Sequence, residues 1–192
     1  YPEVLEALTR RLQQDDLHGR LRHLSRETQL ELLRKNLGLS SYDITGYQCR
    51  ELGTAIPSIE EKIQIKGHNY ATVTGKRMFL LPDILSRDGM KLDDEANRAS
   101  EIRFDFAYRN IDTVRIALPA GYKPESVMAP VSLSCQFGNY SAVTTIEGNT
   151  LMLIRKMERR SGVFPPAGFP ELVKFYGTVY RSERSKVVLI KA

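Results

Sequence analysis

The feature that most constrains this chain is a pair of segments in which large apolar side chains fall on every second residue. The first segment places them at positions 102, 104, 106 and 108, and the second places them at 114, 116 and 118. A period of two sends one set of side chains to a core and the other to water, which is typical of antiparallel sheets. Turn-forming residues dominate the link 109–112, so the pattern predicts a hairpin of strands 102–108 and 114–118.

Two helices are expected among the strands. Ser25 is placed as an N-cap, Glu27 follows in the first turn, and leucines at helical spacing lead to Gly38, which predicts a helix over 26–37. A Pro-rich loop over 164–170 then leads into a second helix at 171–180, opened by Pro170 and shortened by Gly177. Further strands are predicted at 4–13, 17–24, 42–52, 59–66, 70–73, 76–81, 131–137, 140–147, 151–157 and 187–191.

These elements predict a mainly β (α+β) fold, built as an antiparallel β-sandwich with one or two packed helices. The polar segment 86–99 is the best internal boundary. It divides the chain into an N-terminal β-rich subdomain with one helix, residues 1–98, and a C-terminal sandwich subdomain with a short helix, residues 99–192. One continuous domain is the alternative.

Charge and hydropathy exclude two classes of partner. The chain has 192 residues and a net charge of +5, with basic residues scattered apart from a cluster at 155–160. Its aromatic residues fall in strand-core phase, whereas a nucleic-acid binder gathers exposed aromatics beside basic charge, so no nucleic-acid partner is predicted. No apolar run approaches the ~20 residues that span a bilayer, so no transmembrane segment is predicted either.

A catalytic reading rests on Cys49, His68 and Asp83, which have the chain order of a Cys-His-Asp triad. Such a nucleophile often starts a helix, but Cys49 lies in the alternating strand pattern 47–50. No catalytic residue is therefore predicted. Cys49 and Cys135 are interpreted as small apolar residues within strands, and whether they form a disulfide stays open.

Metal and cofactor sites are not predicted. His18 and His23, near Asp15 and Asp16, are five residues apart, which places their rings on opposite faces of a strand. The acidic loop lacks the order of an EF-hand and reads as a solvated loop; its members are Asp88, Asp93, Asp94 and Glu95.

Glycan binding is an alternative because exposed aromatic rings can stack on sugars. The chain has no Trp. The candidates are therefore tyrosines, which more often pack with the hydroxyl at the rim of a core: Tyr42, Tyr47, Tyr122 and Tyr140.

An ordered series of short motifs carries a family resemblance. The series comprises Arg103 with strand 104–108, Asp112, Leu-Pro-Ala-Gly-Tyr at 118–122, Phe-Gly-Asn-Tyr at 137–140, Arg155 and the apolar strand 187–191. It resembles the C-terminal β-rich domain of unknown function that follows the transglutaminase-like (cysteine-protease-like) core in exported proteins of Gram-negative bacteria. The resemblance implies an extracytoplasmic location, in the periplasm or at the outer membrane, and a catalytic core upstream of this chain.

The resemblance favours a non-catalytic accessory domain that packs against or orients the upstream transglutaminase-like domain. Its expected interface combines the loop at 164–169 with the apolar side of the second helix, through Phe164, Pro165, Phe169, Phe175 and Tyr176. The alternative is an independent glycan- or peptide-binding module. The weakest hypothesis is a hydrolase or acyltransferase that uses Cys49 and His68.

Overall fold

The computed structural model describes residues 2–12, 24–37, 39–53, 58–85, 91–93 and 99–192. These residues form two α-helices, α1 (Arg26–Asn36) and α2 (Phe169–Glu183), and a 3-10 turn at Pro166–Gly168. They also form strands β1 (Pro2–Leu12), β2 (Tyr42–Leu52), β3 (Ser58–His68), β4 (Thr72–Thr74), β5 (Arg77–Leu80), β6 (Ile102–Phe104), β7 (Tyr108–Ala117), β8 (Tyr122–Ser126), β9 (Val131–Cys135), β10 (Gly138–Glu147), β11 (Thr150–Arg159), β12 (Gly162–Phe164) and β13 (Val187–Lys191).

The strands form antiparallel sheets. One sheet has seven strands in the order β2-β3-β1-β7-β11-β10-β9, a second has four in the order β4-β5-β13-β8, and β12 pairs with β6 in a two-stranded ribbon. The predicted mainly β (α+β) fold with antiparallel sheets and two helices is confirmed. Gly75 and Gly148 lie in the turns between β4 and β5 and between β10 and β11, where φ is 59° and 56°.

Both predicted helices form, and local chemistry explains their ends. The Ser25 hydroxyl accepts a hydrogen bond from the Thr28 backbone N–H at 3.2 Å, which caps α1 as expected. Gly38 lies outside the described residues. The second helix, predicted at 171–180 with Pro170 at its start, is present but longer, because α2 begins at Phe169 and has 15 residues. Its apolar side is buried over its whole length, which outweighs the ~1 kcal/mol cost of Gly177.

The predicted hairpin at 102–118 is wrong. β6 ends at Phe104 and pairs with β12, and β7 runs without interruption through the residues expected to form the turn. Asp112 is the reason, because this turn-forming residue points into the core opposite Arg155 of β11. The buried charge of Arg155 therefore keeps residues 109–112 in a strand, although their sequence by itself favours a turn.

One hydrophobic cluster joins the layers. The inner face of the seven-stranded sheet, the four-stranded sheet and α2 all bury side chains in it. β1 pairs with β7, and β5 pairs with β13, so strands from both sides of residue 98 share each of the two larger sheets. The division at residue 98 stays a prediction. The predicted second strand at 17–24 lies outside the described residues, except for Leu24.

Candidate interaction site

The β6–β12 ribbon has an aromatic inner face. Phe104 and Phe164 lie on this face and pack with Phe137, with ring centroids 4.8–6.1 Å apart. Arg103 and Val163 are directly opposite each other in the register and are exposed on the outer face. The ribbon is therefore anchored on one side and presents the other side to solvent.

Phe106, in the segment between β6 and β7, is the most exposed large apolar side chain in the part of the chain that the structure describes, at 58%. Its backbone is held by Arg159, whose Nη2 donates to the Phe106 carbonyl oxygen at 3.2 Å. The Arg159 guanidinium also lies 4.9 Å and 4.7 Å from the ring centroids of Phe104 and Tyr108. An exposed ring on a fixed backbone is a suitable anchor for an interface.

Val163, which is 50% exposed, and Pro165, which is also exposed, lie on the β12 side of the ribbon. They are two residues apart on an extended segment, so their side chains point to the same side. We refer to Phe106, Val163 and Pro165 as the ribbon patch.

The interface predicted from the sequence overlaps the ribbon patch only at Pro165. Phe169, Phe175 and Tyr176 are buried in the core of the chain, and Phe164 belongs to the aromatic cluster of the ribbon. The apolar side of α2 therefore faces inward and is not presented to a partner. The alternation at 102–108 placed Phe106 in core phase, and nothing in that pattern separates it from Phe104.

A buried ion cluster fixes the end of α2 to the seven-stranded sheet. Arg155 donates from Nε and Nη2 to Glu183 Oε1 at 2.9 Å and 2.5 Å, and from Nη1 to Asp112 Oδ2 at 3.1 Å. Asp83 Oδ2 lies 3.7 Å from Nε, and all four side chains are at most 6% exposed. Burial alone lowers the pKa of Arg155, but the three carboxylates outweigh burial and raise it above its usual value.

The cluster could have been found from strand phase. Asp112 and Arg155 each lie two residues from a buried apolar residue of the same strand, Val114 and Leu153, and so share the inward phase. A charged residue in inward phase predicts a buried partner of opposite charge.

The structure does not assemble a triad from Cys49, His68 and Asp83. Cys49 is opposite Glu61 on β3, and His68 lies seven residues farther along that strand, about 23 Å away at strand spacing. His68 Nε2 is 2.8 Å from Asp43 Oδ2, while Asp83 is part of the Arg155 cluster. Burial, aided by Glu61, raises the pKa of the Cys49 thiol, which is opposite to nucleophile activation.

Cys49 and Cys135 are free thiols. They lie on β2 and β9, the two edges of the seven-stranded sheet. Six strand spacings separate those edges, roughly 29 Å, so the two cannot form a disulfide in this fold.

The tyrosines proposed for glycan stacking are mostly committed to internal contacts. The hydroxyls of Tyr47 and Tyr140, both buried, donate to Glu61 Oε1 at 2.9 Å and to Ser182 Oγ at 3.0 Å. Burial raises the pKa of Tyr140 to about 12. Tyr42 and Tyr122 are half-buried, so the four do not form a continuous stacking platform.

The residues considered for metal binding lie mostly outside the described ranges. Asp93 is described and is exposed, whereas the two histidines at 18 and 23 and the other acidic candidates are not described. Within the described ranges, no group of three or more His, Cys, Asp or Glu side chains is positioned to hold a metal ion. Neither described helix has the length and hydropathy needed to cross a membrane.

The fold and the ribbon patch define an antiparallel, mainly β domain with an exposed apolar surface. Residues 76–189 match the model of a family described as a domain of unknown function with a solved structure (DUF3858). This match covers more than half of the chain, so the chain belongs to that family. No curated protein and no solved structure matches it.

Proposed function

We propose that this chain is a non-catalytic accessory domain that packs against and orients an upstream transglutaminase-like domain. The observation that carries the proposal is the ribbon patch. Phe106 is exposed, while its backbone is fixed by a hydrogen bond to Arg159 and by ring contacts around that guanidinium. Prior fixation of the backbone reduces the entropy lost on docking, which favours a permanent contact between domains.

The resemblance of the motifs at 103–122, 137–140 and 187–191 supports the choice of neighbour and an extracytoplasmic location. The family match at 76–189 contains the whole ribbon, so the proposed contact lies in the family-defining part of the chain. Ribbon docking would hold one wall of the neighbour's cleft and leave the chemistry to the neighbour.

Isothermal titration of this chain against the separately produced upstream domain tests the proposal. Phe106→Ala should weaken binding at least tenfold, because loss of a central aromatic anchor typically costs about 2 kcal/mol or more. The matched control is Val73→Ala on β4, since Val73 is similarly exposed, at 51%, but lies in the four-stranded sheet. Equal affinity of the two variants would contradict docking at the ribbon patch.

Two further assays separate the alternatives. Dose-dependent binding of the isolated chain to a glycan array, abolished by Tyr122→Ala or Tyr42→Ala, would favour an independent binding module. Hydrolytic or acyl-transfer activity of the isolated chain that disappears in Cys49→Ala would favour the enzyme hypothesis and contradict a non-catalytic role.

A further inference from the structure

The seven-stranded sheet has a second, outer face with an apolar row at its centre. The register places Leu8, Thr113, Ile154 and Val143 side by side across β1, β7, β11 and β10. All four are half-buried or exposed, whereas their neighbours in sequence at positions 7, 114, 153 and 142 are buried in the core. Thr113 lies between Leu8 and Ile154, so the apolar side chains of this row are Leu8, Ile154 and Val143. Apolar side chains gathered on an open sheet face are a mark of an interaction surface.

Four basic side chains surround this row. Lys62, Arg109, Arg115 and Lys156 are exposed in the same outward phase, and no carboxylate of the described residues lies within ion-pair distance of any of them. The register places Lys62 beside Leu8.

The same face also carries carboxylates. Glu60 forms an ion pair with Arg50, while Glu6 and Glu158 are opposite Arg115 and Arg109 in the register and partly balance their charge. Four basic side chains therefore stand around the row against these two carboxylates, and the net charge there is positive.

Two shallow grooves flank the row. One, of about 270 Å³, is lined by Lys62, Arg115, Glu6 and Glu60 together with Leu8. The other, of about 290 Å³, is lined by Arg109, Lys156 and Glu158 together with serines of β9 and β10. Side chains of a partner could enter both grooves while the apolar row is covered.

We propose that this outer face docks a protein whose own surface has an aliphatic centre flanked by carboxylates. The apolar row supplies the area removed from water, and the four basic side chains select carboxylates by charge-assisted hydrogen bonds. The row is aliphatic and carries no aromatic ring, so it does not provide the base-stacking platform of a nucleic-acid site. This surface is distinct from the ribbon patch and goes beyond the proposed function.

The probes are two synthetic amphipathic helical peptides. One has leucines flanked by glutamates, and the other has the same leucines flanked by lysines. Fluorescence anisotropy should show at least tenfold tighter binding of the glutamate peptide, with affinity falling as salt rises. The double variant Arg115→Glu with Lys156→Glu should weaken that binding at least tenfold, and so should Val143→Asp.

The control variant Lys123→Glu with Lys186→Glu changes two exposed lysines elsewhere and should retain full binding. Phe106→Ala should also retain it, which separates this test from that of the ribbon patch. Equal binding of both peptides, or no binding of the glutamate peptide at about 1 mM, would overturn the proposal. Tight binding of heparin that Val143→Asp does not alter would identify a polyanion site instead and would also overturn it.

Discussion

Replacing Arg155 with methionine should be among the most damaging single changes in this domain. The guanidinium donates three hydrogen bonds to Glu183 and Asp112 and lies close to Asp83, in a cluster almost without solvent. Methionine fills similar space but removes the guanidinium charge from three buried carboxylates. Breaking a buried pair in this way costs about 3–5 kcal/mol, a large share of the 5–15 kcal/mol that typically holds a domain folded.

Urea unfolding followed by circular dichroism measures this loss. With a slope of about 2 kcal/mol per molar urea, the midpoint should fall by roughly 1.5–2.5 M. Lys156→Met is the matched control, because Lys156 is the next residue on the same strand and points to solvent, where a change is typically within about 0.5 kcal/mol.

Arg155→Lys keeps the charge but cannot reach Glu183 and Asp112 with a planar fork, so its midpoint should lie between those of the wild type and Arg155→Met. It also provides a measurable variant if the methionine variant does not fold. Equal midpoints for Arg155→Met and Lys156→Met would refute the view that the cluster holds α2 on the sheet.

Two further predictions concern stability. Gly138→Ala should destabilise the domain by about 2 kcal/mol or more in the same urea assay, because a Cβ at that position would overlap the Glu158 carbonyl oxygen. Gly53→Ala is the control and should be nearly neutral, because a Cβ there meets no atom within 4 Å. Equal effects of the two changes would contradict this prediction. Burial of the Tyr140 phenol raises its folded-state pKa to about 12, above the usual value of about 10, so the unfolded chain loses its proton first as pH rises. The contribution of Tyr140 to the free energy of unfolding is therefore complete below pH 10, and about 2–3 kcal/mol of it should be lost between pH 10 and 12. In Tyr140→Phe the free energy of unfolding should fall less steeply over this pH range. Identical slopes for the two proteins would contradict the assignment.

The sequence predicted those elements whose local chemistry and burial agree. The α1 cap at Ser25 and the strand now assigned as β13 needed no distant partner to be recognised. The errors fell where a distant contact overrides local preference. Asp112 favours a turn by itself, whereas its bond to Arg155, 43 residues away, holds it in a strand.

The interaction site was harder to predict for the opposite reason. Phe104 and Phe106 have the same side chain in the same alternating phase, yet one packs on Phe137 and the other is exposed. The difference arises because β6 is short and pairs with β12, more than 50 residues later. Alternation reports which face a side chain occupies while a strand continues, and it does not report where the strand ends.

The two proposed surfaces also differ in how they depend on the fold. The ribbon strands and Arg159, which holds the Phe106 backbone, all lie within the family-matching residues, so that patch does not require β1 or β3. The outer face requires β1 and β3, which precede residue 76, to join β7 in the same sheet. Changes that loosen the β1–β7 pairing should therefore weaken binding at the outer face and leave docking through Phe106 intact. Parallel loss at both surfaces would show that they form one cooperative unit.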